Sequence, residues 1–284
     1  MATLVLIPNG RLGNNLFQLS LANYLKLRSP EVKILFPNFP EIGILQSEGY
    51  TEALKKTPDI HLSGSQIQIE QIAAHIRNNP SAMIHCAAWG MTSEIYSFSR
   101  DYLRSIVPPN GDTDNVATSR NLTFHIRGGD LWQNQWYKRK RYIHTDYSAI
   151  PISFYEKVIQ SARMDVEFVV ESTVPNWYLK MLRKVLGFDL KTSTVAPLAD
   201  FQRISKGSEI GLGVSTFSWM AAFIGNPNKV HIPLLGIFDS TKRPDLDFKF
   251  PEWNTSEYNF EEHNWTGTWS DREWLANSEC TLCI

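Results

Sequence analysis

The residues of this 284-residue chain best suited to chemistry are one arginine, two runs of small polar residues, and a few acids and histidines near them. Arg127 closes the apolar run Leu122-Thr123-Phe124-His125-Ile126 and is followed at once by Gly128-Gly129-Asp130. A guanidinium is a permanent planar cation that meets phosphate or carboxylate oxygens with paired hydrogen bonds, so at such a place it suits the holding of an anion. The structural alternative is an Arg127–Asp130 pair across a tight turn. Ser215-Thr216-Phe217-Ser218 sets hydroxyls at the start of another apolar run. At a helix N-terminus, hydroxyls and unpaired amides converge on one point and favour a phosphate, or the serine simply caps the helix. Gly10-Arg11-Leu12-Gly13-Asn14 has two glycines three apart before a helical run, which lets a loop pass close to a ligand. Its spacing matches neither the dinucleotide fingerprint nor the Walker loop. For taking a proton from a nucleophile, the candidates are His144, Asp146 and Glu171. His144 and Asp146 are preferred, because they fall on the loop after Arg127.

These residues need elements to position them, and the hydrophobic pattern supplies an alternation of strands and helices. Leu122 to Ile126 reads as a buried strand that delivers Arg127 into a cleft, since ligands of open α/β sheets bind at carboxyl ends of strands. Further strands are predicted over Leu4–Ile7, Val32–Phe36, Met83–Ala87, Val166–Val170, Glu209–Val214 and Lys229–Pro233. Helices are predicted over Asn15–Leu27, Ile67–Ile76, Asp101–Val107, Pro151–Met164, Asn176–Leu186 with Gly187 as cap, Asp200–Lys206 and Ser215–Phe223. Most of Glu41 to Ser81 carries little pattern. Strand, loop and helix in repeated order predict an α/β protein with parallel sheets in Rossmann-like domains. Pro108-Pro109-Asn110-Gly111 is the clearest linker, giving domains 1–110 and 111–284.

Composition narrows the function. A formal net charge of -1 gives no general electrostatic reason for binding nucleic acid or an acidic membrane. Lys138-Arg139-Lys140-Arg141 is a local exception that reads as a solvated loop. No run approaches the ~18 apolar residues of a membrane span, and the N-terminus lacks a signal peptide's cationic start. A cytoplasmic location is expected, with peripheral membrane contact left open. Cys86, Cys280 and Cys283 are too few for a disulfide framework, and Cys280-Thr-Leu-Cys283 lacks the second pair that a zinc site needs. Asp112-Thr113-Asp114 has the form of a cation-binding acid pair but lies in a polar run rather than at a strand end, so no metal is expected. Trp132, Trp136 and Tyr137, set among Gln133, Asn134 and Gln135, suit sugar recognition: rings stack on apolar sugar faces and amides pair with hydroxyls.

Three stretches, in order and spacing, resemble one family. Gly10-Arg11-Leu12-Gly13-Asn14 with Phe17-Gln18, the central His125-Ile126-Arg127-Gly128-Gly129-Asp130, and Ser215-Thr216-Phe217-Ser218-Trp219 followed by Lys229-Val230 are similar to the bacterial alpha-1,2-fucosyltransferases and their wider superfamily. The resemblance is thin from Glu41 to Pro109 and absent from about Leu235 onward, segments that could carry acceptor recognition. It implies two Rossmann-like domains facing a cleft, a GT-B-like fold without a metal, with an acceptor-side N-terminal domain. The C-terminal domain, with its aromatic-rich tail, would hold the sugar nucleotide. Arg127 would meet the donor diphosphate, His125 and Asp200 the guanine, and Ser215, Thr216, Phe217 and Ser218 the phosphates. Arg11, Gly13, Asn14 and Asp130 complete the expected donor site. The implied reaction is inverting transfer of L-fucose from GDP-fucose to a glycan hydroxyl.

The sequence departs from the family twice. The usual H-x-R-R-x-D has Gly128 for its second arginine, and Glu171-Ser172-Thr173 stands where paired aspartates are common. One diphosphate cation is therefore missing from its expected place, with Arg11 or Arg203 as candidates to compensate. The alternatives are a transferase using GDP-mannose or another nucleotide sugar, and a sugar-nucleotide-binding protein that has lost turnover.

Overall fold

Four-residue apolar runs such as Leu4–Ile7 are too short for helices and too apolar for an exposed edge, so they are buried by flanking helices on a parallel sheet. The computed structural model describes residues 1–65, 67–107, 120–129, 131–132, 146–193, 196–248 and 254–283. The chain forms two units, Met1–Pro108 with Asp245–Lys249, and Pro109–Pro244 with Phe250–Ile284.

Unit 1 carries a four-stranded parallel sheet of β1 (Thr3–Leu6), β2 (Lys33–Leu35), β3 (Ile60–Leu62) and β4 (Met83–Cys86), in the order β2-β1-β4-β3. Helix α1 (Leu12–Arg28) packs Leu16, Phe17, Leu19 and Leu21 into its core. Two buried polar side chains on α1 are satisfied by backbone: Gln18 donates to the Ile7 carbonyl at 2.9 Å, and Ser20 to that of Leu16 at 3.0 Å. The remaining helices are α2 (Tyr50–Leu54), α3 (Ile69–Asn78), α4 (Ser93–Ser97) and α5 (Arg100–Ile106). The short excursion Asp245–Lys249 closes the unit. Asp247 accepts from the amide and hydroxyl of Ser93, its carbonyl takes the Tyr96 hydroxyl at 2.8 Å, and the Phe248 ring lies 5.9 Å from that of Phe17.

Unit 2 is built on β5 (Asn121–Ile126), with β6 (Asp165–Val170), β7 (Glu209–Gly211), β8 (Lys229–Pro233), β9 (Asn254–Phe260) and β10 (Cys280–Leu282) in the order β10-β9-β8-β7-β5-β6. All pairs are parallel except β9 with β10. Helices α6 (Ile152–Ala162), α7 (Asn176–Leu186), α8 (Pro197–Ser205), α9 (Thr216–Gly225) and α10 (Arg272–Asn277) complete it. Phe124 centres the core, its ring 5.2 Å from both Tyr155 and Phe168. A β-carbon at Gly211 would overlap that ring, so glycine is what lets β7 lie beside β5.

Two expectations change. The strand predicted over Glu209–Val214 ends at Gly211, because the Ser215 amide turns back to the Gly213 carbonyl at 2.7 Å to begin α9. The C-terminal tail adds two strands to the sheet of unit 2 through β9, which pairs with β8 from Lys229↔Asn254 to Pro233↔Tyr258.

Candidate active site

In unit 2 the chain leaves β5 for β6 on one side and returns to β7 on the other. The connections therefore diverge above the carboxyl ends of β5 and β7, which is where open parallel sheets hold ligands. Arg127 lies one residue past β5, only 8% exposed, and donates through Nη1 to the Val214 carbonyl at 3.0 Å, across the β5–β7 gap. Its guanidinium stacks on Tyr147, 3.7 Å from the ring centroid, and its carbonyl accepts the Trp132 indole N–H at 3.1 Å. A buried guanidinium held by a carbonyl dipole and a ring face has a fixed direction. Tyr147 was not singled out in the sequence; the only signal was an aromatic beside Asp146.

His125, the penultimate residue of β5, is buried beside Gly213, where a β-carbon would come within 2.8 Å of its ring. Its Nε2 is 3.3 Å from Glu171 Oε1 at the end of β6, and its ring lies 5.3 Å from Phe217. Phe217 also meets Phe201 at 5.4 Å, the neighbour of Asp200 in the first turn of α8. His125, Phe217 and Asp200 thus belong to one corner. Asp200 accepts from the Ser193 hydroxyl at 2.7 Å and from Arg203 at 3.3 Å. Arg203 also gives two N–H groups to one oxygen of Glu167, at 3.0 and 2.7 Å, so its charge is spent on carboxylates rather than held for a ligand.

The glycine in place of the second arginine has a local cause. A β-carbon on Gly128 would overlap Thr173 Oγ1 and come within 3.0 Å of the Glu171 β-carbon and 3.1 Å of the Val174 amide. Gly129, at φ +68°, donates its N–H to the same Thr173 hydroxyl. The two departures from the family pattern are therefore in contact, the loop after β6 filling the space that a side chain at 128 would need.

At the start of α9, Ser215 is the cap: its Oγ accepts the Ser218 amide at 3.1 Å. The Ser218 hydroxyl turns inward to the Gly213 carbonyl at 2.7 Å and is fully buried. Ser215 and Ser218, expected to offer hydroxyls to a phosphate, use them for these bonds within the cap. Thr216 and Phe217 stand in the first turn of α9, at the positive end of the helix.

Asp146 is buried and ion-paired with Arg243, and its carbonyl accepts the Ile237 amide at 2.8 Å. Its place as a proton acceptor is thus shared with a cation. Asp130, His144, Trp136, Tyr137, the basic run 138–141 and the acid pair at Asp112 and Asp114 lie outside the described residues. Among the described residues no group of three or more His, Cys, Asp or Glu is placed to hold a metal ion. Nor is any of their helices long and apolar enough to cross a membrane.

In unit 1 the chain diverges between β1 and β4, and the loop after β1 lies there. Gly10, at φ +101°, passes so close to the Asn14 amide that a β-carbon would overlap it. Asn9 donates to the Ala87 carbonyl at 2.9 Å and accepts the Trp89 indole N–H at 2.8 Å. Arg11 is exposed at the N-cap of α1, but Gly13 is buried inside the helix and forms no part of the loop, which corrects the reading of paired loop glycines.

No curated protein matches the chain. Among solved structures it is similar to the E. coli heptosyltransferase WaaC with ADP, at 11% identity and a TM-score of 0.42, over 90% of this chain and 91% of that one. The model of glycosyl transferase family 11 matches residues 46–257. That match starts after the Gly10–Asn14 loop and runs past Leu235 into β9, further than the motifs alone reached. With most of its length matched, this chain belongs to glycosyl transferase family 11 and is a glycosyltransferase.

Proposed function

We propose that this enzyme transfers L-fucose from GDP-fucose to a glycan hydroxyl, with inversion at the anomeric carbon and without a metal ion. The observation that carries the reading is the fixing of Arg127 at the β5–β7 divergence, next to the first turn of α9. As the bond from the sugar to the diphosphate breaks, negative charge builds on the leaving oxygen. A preset guanidinium and helix-end amides stabilise that charge without reorganising. Guanine suits the corner of His125, Phe217 and Asp200: a ring can stack on Phe217, and a carboxylate can accept from the adjacent N1–H and amino group. With Gly128 closed off by Thr173, Arg127 and the amides of the first turn of α9 carry the diphosphate. Inversion requires the acceptor hydroxyl to attack opposite the diphosphate, with His144 or Asp146 taking its proton. The partners are then a nucleotide sugar and a glycan.

Isothermal titration against GDP, UDP and CMP, beside a donor-hydrolysis assay with GDP-fucose and GDP-mannose, tests this reading. GDP should bind tightest, with unchanged affinity in EDTA, and GDP-fucose should be hydrolysed faster. Preference for UDP, or loss of GDP binding in EDTA, sinks it.

A further inference from the structure

Trp132 is the hub of a chain of rings that donor chemistry does not use. Its N–H is tied to the Arg127 carbonyl, and its ring meets Trp177 at 5.5 Å and Trp265 at 5.2 Å. Trp177 meets Trp269 at 5.2 Å. Trp269 keeps 55% of its surface exposed although the Arg272 guanidinium sits 4.4 Å over its ring. The rings thus run, within unit 2, from the backbone of the proposed catalytic arginine to open surface. Trp132 belongs to the core, whereas Trp269, at the far end of the same packed rings, keeps an exposed indole beside a guanidinium.

The turn that carries Trp265 and Trp269 is held rigid by one buried acid. Asp271, 1% exposed, accepts the amides of Thr266 at 3.2 Å and Thr268 at 3.0 Å, the Thr266 hydroxyl at 2.9 Å, and a bond from His263 at 2.9 Å. His263 in turn stacks on Trp274 at 4.4 Å. A fully engaged network of this kind fixes a loop that would otherwise move. It presents an indole beside a guanidinium, while the hydroxyls of Thr266, Thr268 and Ser270 bond to one another at 2.6–3.1 Å and keep only acceptor lone pairs for a ligand. A pyranose has the matching chemistry: an apolar C–H face, drawn to the negative face of an aromatic ring, and a rim of hydroxyls that pair with donors and acceptors.

We infer that the Trp269 surface binds the acceptor glycan, holding the sugars that lead to the reacting hydroxyl. The inference rests on the reading of this enzyme as a transferase to glycans, and it places part of acceptor recognition in unit 2. Because Trp132 ties the same aromatic chain to Arg127, a glycan on Trp269 is held by the assembly that fixes the leaving-group cation.

The test is saturation-transfer NMR and titration of the full chain with free oligosaccharides ending in neutral hexose, N-acetylhexosamine or uronic acid. At least one should bind. Trp269→Ala should weaken it about tenfold or more, as for loss of an aromatic anchor, Trp269→Phe should weaken it less, and GDP affinity should stay within about twofold. Equal glycan affinity in Trp269→Ala and wild type overturns the inference, as does binding of none of the oligosaccharides. So does a change of oligomeric state in Trp269→Ala, which would assign the surface to a second copy. Failure of GDP to bind the wild type would count against the donor reading and leave the glycan result to be judged alone.

Discussion

Arg127 is gripped by a carbonyl on one side and an aromatic ring on another, so its direction is set before any ligand arrives. Removing it should cost transition-state charge stabilisation rather than the fold: Arg127→Ala should lower turnover about 10²- to 10³-fold, or about 2.7–4 kcal/mol. Turnover near wild type would show that the leaving group is served elsewhere, and loss of the folded state would mean that the arginine is structural. The neighbouring residue makes the opposite argument. Gly128→Ala should destabilise by about 1–3 kcal/mol through overlap with Thr173. In a Thr173→Ala background the same change should cost visibly less, a coupling of about 0.5–3 kcal/mol in urea unfolding. Additive costs would clear Thr173 as the obstacle. At this scale the sequence showed that Arg127 follows a buried strand, because a cation after an apolar run and before glycines has few other places. It did not show that the hydroxyls of Ser215 and Ser218 face inward, since a capping serine and a phosphate-binding serine look alike until the hydrogen bonds are drawn.

Elements were most legible where pattern and punctuation agreed. Asn176–Leu186, ended by Gly187 at φ +74°, and Lys229–Pro233 lie where periodicity put them. Three-residue β3 is too short to leave a period, and β9 mixes polar residues with Tyr258 and Phe260, so neither announced itself. Ser215→Ala should cost about 1 kcal/mol by orphaning the Ser218 amide, read as a lower urea midpoint with unchanged slope. No change would mean that water caps the helix equally well. The polar link across β7, β8 and β9 gives unit 2 a pH dependence: His231 Nε2 lies 2.8 Å from Glu209, and Nδ1 3.1 Å from the Tyr258 hydroxyl. Burial pulls the His231 pKa below its ordinary 6.5, with Glu209 acting in the other direction. The unfolded chain therefore binds the extra proton first, and stability contributed by neutral His231 is lost as pH falls through 6.5 towards the lower folded value. His231→Gln should flatten that slope, and an unaltered slope assigns it to other groups.

The molecule as a whole departs most from what a linear reading offers at Asp245–Lys249. The linker at 108–111 is visible as Pro-Pro-Asn-Gly, but nothing in Asp-Leu-Asp-Phe-Lys says that it belongs with residues far earlier in the chain. Asp247→Ala should weaken unit 1 by about 1–3 kcal/mol, because the Ser93 amide and hydroxyl lose their acceptor. Hydrogen exchange should show the loss in α1 and α4 rather than in β5–β8, and uniform loss across both units would refute a local role. The same segment sets an order of events during synthesis. Unit 1 leaves the ribosome first, yet the piece that covers Phe17 and holds Tyr96 is made only after residues 109–244. At about 5–20 residues per second that delay is roughly ten seconds. Through it Phe17 has Tyr96 but not Phe248 against its ring, and completion of the first unit waits on translation of most of the second.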